Sequence, residues 1–208
     1  MKGKKVLKII GIILLVLIAL VLIHTIRNFI IIRVLQKNFE QYSSSTNYHI
    51  TSHSVQEDVT TDIDYYKKGG KEAMILNRTK DGKTIKISIY NNGKRIDTFY
   101  DADDSKIAKL NSSDEIDLPM SNGLEYESNF QTFMVSMFTL IKKEEVNQKE
   151  CYLITALLSH EKTYYEKDTG LIIKGILNGQ IVEKNYEFDN VEDSSFLEPN
   201  ISEYTLKE

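Results

Sequence analysis

The chain has 208 residues and a formal net charge of −4, enough for one ordinary domain with an appendage. Residues 1–43 carry seven Lys or Arg and one Glu, whereas residues 44–208 carry nineteen Lys or Arg and twenty-nine Asp or Glu. Because phosphate binding relies on clustered cations, this acidic larger part excludes nucleic acid as an expected partner. The single cysteine, Cys151, excludes an internal disulfide and a cysteine-based zinc site.

An apolar segment near the N-terminus predicts a membrane anchor. Residues 6–26 contain only three polar side chains, Lys8, His24 and Thr25, and a helix of this length is about 31 Å long, close to a bilayer's hydrocarbon core. A cleaved signal peptide would need small residues at a cleavage site, and residues 24–29 offer none. The lysines of residues 1–8 favour a cytoplasmic N-terminus. We predict that residues 1–5 are cytoplasmic and that residues 6–26 are an uncleaved, single-pass signal anchor in the cytoplasmic membrane.

The helical pattern continues over residues 27–43, which we predict to be a juxtamembrane amphipathic helix. It either extends the membrane helix or is a separate helix that packs on the domain. Its apolar side is formed by Ile26, Phe29, Ile30, Val34 and Phe39. The polar run at residues 43–47 ends it. Residues 44–208 then form the predicted extracytoplasmic domain.

Most of this domain is predicted to form antiparallel hairpins. Asn-Gly, Asp-Gly and Gly-Gly pairs mark tight turns, because these residues accept the positive φ angles that hairpins need. The turns are residues 68–71, 80–83, 91–94, 167–170 and 177–180. Short β-branched and aromatic segments lie between them; Ile85, Ile87 and Ile89, for example, alternate with polar residues. The pattern predicts an α+β fold with about eight to eleven strands.

One helix interrupts the hairpins. Its apolar positions have the i, i+3, i+4 spacing of a single helix face, and Lys142 and Lys143 follow at the expected C-terminal end. They are Phe130, Phe133, Met134, Met137, Phe138 and Ile141. Two interpretations stay open: these residues are a core face that covers the sheet, or they line a cavity in which flexible thioethers adapt to acyl chains.

The order of these elements resembles the LolA/LolB-like superfamily of bacterial lipoprotein carriers and MucB/RseB-type sensor domains. The matching segments are Thr163–Lys174, with its Asp-Thr-Gly-Leu turn, and Tyr186–Asn190 followed by the Phe-Leu-Glu-Pro of residues 196–199. The resemblance implies a curved, incomplete barrel covered by helices around an apolar cavity. Within the superfamily, the GerS family of spore-germination proteins is similar in size and implies a protein-only adaptor that activates a cell-wall hydrolase. That family is anchored by an N-terminal cysteine, which this chain lacks.

The sequence contains no pattern that indicates a catalytic or metal-binding site. His49 and His53 fall in an extended segment about 13 Å apart, too far for one zinc ion. The acidic cluster of Asp101, Asp103 and Asp104 lacks the glycine and glutamate spacing of an EF-hand. Cys151 begins an apolar strand and is predicted to be a buried small hydrophobe.

These observations predict a membrane-anchored binding or adaptor protein of a bacterial envelope, with no cofactor and no enzymatic activity. Its expected partners are the membrane, through the N-terminal helix, and a lipid, an acylated protein or a partner protein such as a cell-wall hydrolase. The six residues from Phe130 to Ile141 are the candidate ligand-binding residues.

Overall fold

The structure, a computed structural model, describes residues 2–103, 105–112, 116, 120, 123–124, 126, 128–157 and 159–207, with side chains from residue 5 onward. Two compact units divide the chain. Unit 1 consists of residues 1–40 and 122–171, and unit 2 of residues 41–121 and 172–208. Residues 111–122 are polar and turn-rich, and the sequence predicts a loop there; most of them, and Asp104 of the acidic cluster, lie outside the described residues.

The described residues form two α-helices, twelve strands and two short 3₁₀ helices. In chain order the helices and strands are α1 (Lys2–Ser43), β1 (Asn47–Gln56), β2 (Val59–Lys68), β3 (Lys71–Lys80), β4 (Lys83–Asn91), β5 (Ile96–Ala102), β6 (Ser105–Lys109), α2 (Asn129–Met137), β7 (Thr139–Val146), β8 (Lys149–Ala156), β9 (Lys162–Glu166), β10 (Ile172–Leu177), β11 (Gln180–Phe188) and β12 (Thr205–Lys207). The 3₁₀ helices are Asp193–Phe196 and Ile201–Glu203. The predicted α+β class, a long N-terminal helix followed by antiparallel strands, is confirmed, with one strand more than the upper expectation.

Helix α1 is continuous from Lys2 to Ser43, so the juxtamembrane segment extends the apolar helix rather than forming a separate one. Within the described residues, α1 is the helix that is long and apolar enough to cross a membrane, and its most apolar window is entirely unburied. Beyond that window α1 packs against the other elements of unit 1. Its buried positions repeat at helical spacing; they are Thr25, Asn28, Ile32, Leu35, Gln36 and Phe39.

This buried face includes Phe39, as expected, but otherwise differs from the apolar side expected for the juxtamembrane segment. Ile26, Ile30 and Val34 are exposed, whereas the polar Thr25 and Asn28 are buried. Hydropathy failed here because the buried side-chain donors have acceptors: Thr25 Oγ1 donates to the Val21 carbonyl at 2.8 Å, and Asn28 Nδ2 donates to the Thr139 carbonyl at 2.7 Å.

Helix α2 is shorter than predicted and buries a different face. It ends at Met137, Phe138 caps it, and Ile141, Lys142 and Lys143 lie in β7. The buried residues of α2 are Thr132 and Ser136, whose small side chains allow close packing. A core role for Phe130, Met134 and Phe138 is therefore wrong, because all three are exposed.

Unit 1 joins these helices to the strands β7, β8 and β9, which pair antiparallel in that order. The turn before β10 packs directly on α1. Asn38 Nδ2 donates to the Lys167 carbonyl at 2.9 Å, and Gly170 adopts a φ of +70° beside the α1 backbone at Leu35 and Phe39. A side chain at position 170 would overlap that backbone, so glycine is required.

Unit 2 contains the other nine strands in the order β12-β6-β5-β4-β3-β2-β1-β11-β10. All neighbours in this unit are antiparallel except β12, which pairs parallel with β6. Two-residue turns at Gly69-Gly70, Asp81-Gly82 and Asn178-Gly179 join strands as predicted. A further two-residue turn at Glu57-Asp58 joins β1 to β2 within a segment that the sequence predicts to be extended.

The two faces of the unit 2 sheet differ in how they are covered. One face, here called the tail face, carries Ala73, Tyr90, Phe99 and Ala108, on which the C-terminal segment packs. The Tyr204 ring meets Phe99 edge-on, with ring centroids 5.2 Å apart. We call the opposite side the groove face; Ser52, Ile63, Leu76 and Ile87 lie across it in register on β1 to β4.

Candidate functional site

An open groove of about 550 Å³ lies on the groove face of unit 2, at the end of the sheet where the β1–β2 and β3–β4 turns meet. Its apolar lining comes from Val59, Leu76, Ile85 and Ile87. This volume is within the range of small-molecule sites, which are largely apolar with a few polar groups. The groove is therefore the candidate binding site.

Strand register explains how the groove forms. Leu76 pairs with Ile87 and Arg78 with Ile85 across β3 and β4, so that apolar and cationic side chains stand side by side. Val59 reaches the same face from β2, where it pairs with Lys80. The two-residue turns fix these registers, because a slip of one residue would turn every side chain to the other face.

Polar groups of both signs surround the apolar lining. Arg78 and Lys80 on β3 contribute cations, and Glu57 and Asp58 contribute carboxylates from the β1–β2 turn. Lys184 lies on the same face, and its partial burial lowers the pKa of its ammonium group. This arrangement suits an amphiphile that has an apolar tail and an anionic or zwitterionic head.

A hydrogen-bonded network fixes the other end of the groove face. Glu72 accepts hydrogen bonds from Tyr65 Oη and Lys67 Nζ, both at 3.0 Å, and from Asn91 Nδ2 at 3.1 Å. Burial alone would raise the pKa of the Glu72 carboxyl, but the three donors outweigh it and the pKa is lowered. The network ties β2, β3 and β4 together and is structural.

The six candidate ligand-binding residues lie together in unit 1, although on two elements. Phe130, Phe133, Met134 and Met137 are on α2, with Phe138 at its cap, whereas Ile141 is buried in β7. Phe133 packs edge-on against Phe29 with ring centroids 6.3 Å apart. Ligand binding by these residues stays a prediction.

On the tail face, His49 and His53 each lie within hydrogen-bonding distance of an aspartate on β2, and His53 is exposed to solvent. His49 stacks on Tyr66 with centroids 4.2 Å apart, and its Nε2 lies 3.1 Å from Asp64 Oδ1. His53 Nδ1 lies 2.6 Å from Asp62 Oδ1. Among the described residues, no group of three or more His, Cys, Asp or Glu side chains is placed to hold a metal ion.

The Cys151 thiol is buried, as predicted. Burial raises the pKa of this thiol, and its Sγ donates to the Lys149 carbonyl at 3.3 Å. Because the thiolate is the nucleophilic form, a raised pKa makes Cys151 a poor nucleophile.

No family model and no curated protein matches the chain. Among solved structures it is similar to LprF from Mycobacterium bovis, with a TM-score of 0.47 and 6% identity over 77% of this chain and 94% of LprF. It is also similar to the Pseudomonas aeruginosa MucA/MucB complex and to a structure of MucB with MucA(peri), each with a TM-score of 0.34 and 12% identity over 77% of this chain. The chain spans 59% and 57% of those matched chains. TM-scores below 0.5 do not establish a common fold, so the properties of these proteins do not extend to this chain.

Proposed function

We propose that the chain is a membrane-anchored, extracytoplasmic binding protein whose groove holds the acyl chain of a lipid or of an acylated protein. The observation that carries this proposal is the open groove lined by Val59, Leu76, Ile85 and Ile87. Ile85 is 46% exposed, so it presents apolar surface that a ligand would remove from water. Catalysis is not part of the proposed function.

The anchor in this proposal is the apolar segment of α1, with the N-terminal lysines in the cytoplasm. Because α1 continues without a break from the apolar segment to Ser43, the protein would act at the membrane surface and would not shuttle between membranes. A fixed position beside the bilayer suits sensing, or presentation of an acylated ligand to a partner.

The rival hypothesis, a protein-only adaptor, would use an exposed strand edge. Within unit 1, β7 pairs with β8 alone, and it carries Lys142, Lys143, Glu144 and Glu145 in succession. Charged side chains on an edge strand oppose the addition of another strand. The groove therefore has stronger support than the edge.

Photolabelling tests the proposal. The full chain in nanodiscs would be exposed to a diazirine-bearing fatty acid, irradiated and digested, and the adducts located by mass spectrometry. We expect adducts in residues 54–61 and 76–87. The Ile85→Glu variant should show at least a tenfold loss of these adducts, because burying a carboxylate against an acyl chain weakens the binding free energy by more than about 1.4 kcal/mol.

The matched control is Ile181→Glu. Ile181 is 41% exposed, and it neighbours the groove residue Gln180 in β11 while its side chain points to the opposite face. This variant should keep wild-type labelling of the groove. Equal labelling of all three proteins, or labelling confined to α1, would contradict the proposed function.

A further inference from the structure

Unit 1 has an apolar tip where α2 turns into β7. Three of its large side chains are exposed: Phe138 (57%), Leu140 (43%) and Leu157 (49%). Leu157 belongs to the tip because its backbone N–H donates to the Phe138 carbonyl at 2.8 Å. Clustered exposed side chains of this size mark an interaction surface.

Hydrogen bonds place this tip at a defined level along α1. Asn28 Nδ2 donates to the Thr139 carbonyl at 2.7 Å and to the Ser136 carbonyl at 3.1 Å. His24 Nε2 lies 3.0 Å from the same Thr139 oxygen. The tip is thus beside residues 24–28 of α1, within about one helical turn of Ile26, where the apolar segment ends.

The direction of α2 brings the tip toward the apolar segment of α1. Gln36 hydrogen-bonds the Leu124 carbonyl, Phe29 meets Phe133, and Asn28 and His24 meet Thr139. As the chain advances from residue 124 to 139, its partners on α1 fall from residue 36 to 24. Helix α2 therefore runs antiparallel to α1 and approaches the apolar segment, and β7 then leads away.

Cations follow the tip on the side away from the apolar segment. Arg27 reaches the Ile141 carbonyl with Nη2 at 3.4 Å, and Lys142 and Lys143 come next in β7. Along β7 acidic side chains begin at Glu144, and in the segment after Leu157 the first is Glu161. Apolar side chains followed by Lys and Arg are the usual order at the boundary between acyl chains and headgroups.

We propose that the tip formed by Phe138, Leu140 and Leu157 inserts into the outer surface of the bilayer that α1 spans. The membrane is the partner that the tip contacts, because the hydrogen bonds to His24 and Asn28 place the tip beside the end of the anchor. The tip and the anchor together fix the orientation of unit 1 at the lipid surface. This inference rests on the membrane anchor of the proposed function and assigns a second lipid contact beside it.

Single-tryptophan fluorescence tests this inference, because the chain contains no tryptophan. The full-length Phe138→Trp variant would be reconstituted in vesicles of phosphatidylcholine and phosphatidylglycerol, with and without bromine on the acyl chains. The matched control is Phe130→Trp at the other end of α2. Phe130 is 72% exposed and about 12 Å farther from the membrane along the helix axis.

We expect brominated acyl chains to quench the fluorescence of the Phe138→Trp variant by more than about half, because interfacial side chains lie about 5–10 Å deep. The fluorescence of the Phe130→Trp control should stay nearly unchanged. Aqueous iodide should do the reverse, quenching the control and sparing the tip variant. A Leu157→Trp variant should behave like Phe138→Trp, so the result does not depend on one substitution.

A further variant, Leu15→Trp, separates this inference from the anchor. If bromine quenched Leu15→Trp strongly while iodide reached both tip variants, the inserted tip would be overturned and the anchor left intact. Protection of both tip variants from both quenchers would also overturn the inserted tip, because protein and not lipid would then cover it. Iodide quenching of the Leu15→Trp variant would refute the anchor and the tip together.

Discussion

Replacing Gly170 with alanine should destabilise unit 1 by about 2–5 kcal/mol. Gly170 has a φ of +70°, and this left-handed conformation costs an L-residue about 1–2 kcal/mol. A Cβ there would also overlap the carbonyl oxygen of Leu35 and lie 3.0 Å from the backbone nitrogen of Phe39. Both atoms belong to the α1 backbone, so the helix must shift, and such overpacking costs about 1–3 kcal/mol more.

The assay is urea unfolding of the full chain in detergent micelles, followed by circular dichroism. The control is Gly123→Ala in the same unit, where φ is +61° and the nearest atom, Tyr165 Oη, is at an ordinary 3.9 Å. Gly123→Ala should therefore lower the free energy of unfolding only by the cost of the left-handed backbone conformation. If the two substitutions lowered the free energy of unfolding equally, the close approach of α1 to this turn would be refuted.

Two further substitutions test buried polar groups in the two units. Asn28→Ala should lower the free energy of unfolding by about 1–3 kcal/mol in the same assay, because the Ser136 and Thr139 carbonyls lose their donor. The control is Lys37→Ala at an exposed position of α1. A loss for Asn28→Ala no larger than that for Lys37→Ala would contradict this prediction. The lowered pKa of Glu72 means that its carboxylate stabilises the folded state above the ordinary value of 4.5, and this contribution is lost as pH falls through the folded-state value. Glu72→Gln should therefore flatten the decline of Tm between about pH 5 and pH 3, and an unchanged slope would contradict the network.

The hairpins were predictable because the residues at each turn themselves favour the backbone conformation that a tight turn requires. Gly69-Gly70, Asp81-Gly82 and Asn178-Gly179 each close a two-residue turn as predicted. Such turns also set the register of the flanking strands. The face shared by Leu76 and Ile87 therefore follows from the β3–β4 turn alone, although the groove also needs Val59 from β2 and Gln180 from β11.

The helices were less predictable because hydropathy does not reveal which apolar face has a partner. The stripe from Phe130 to Ile141 has helical spacing, yet α2 ends at Met137 and buries Thr132 and Ser136 instead. The neighbour that decides this, α1, is about a hundred residues away in sequence. The neighbouring sequence does not indicate contacts such as the one between Asn28 and Ser136, and it does not indicate that Phe138 is exposed.

The most direct test of the central claim is native mass spectrometry of the full chain released from membranes, with the wild type and the Ile85→Glu variant side by side. We expect the wild-type mass to be raised by one fatty acid, phospholipid or lipopeptide. The variant should lose this added mass, whereas lipid held only by α1 would remain in both proteins. Wild-type protein that carries no such mass after incubation with lipids, or an identical bound mass in both proteins, would contradict the claim that the groove binds an acyl chain.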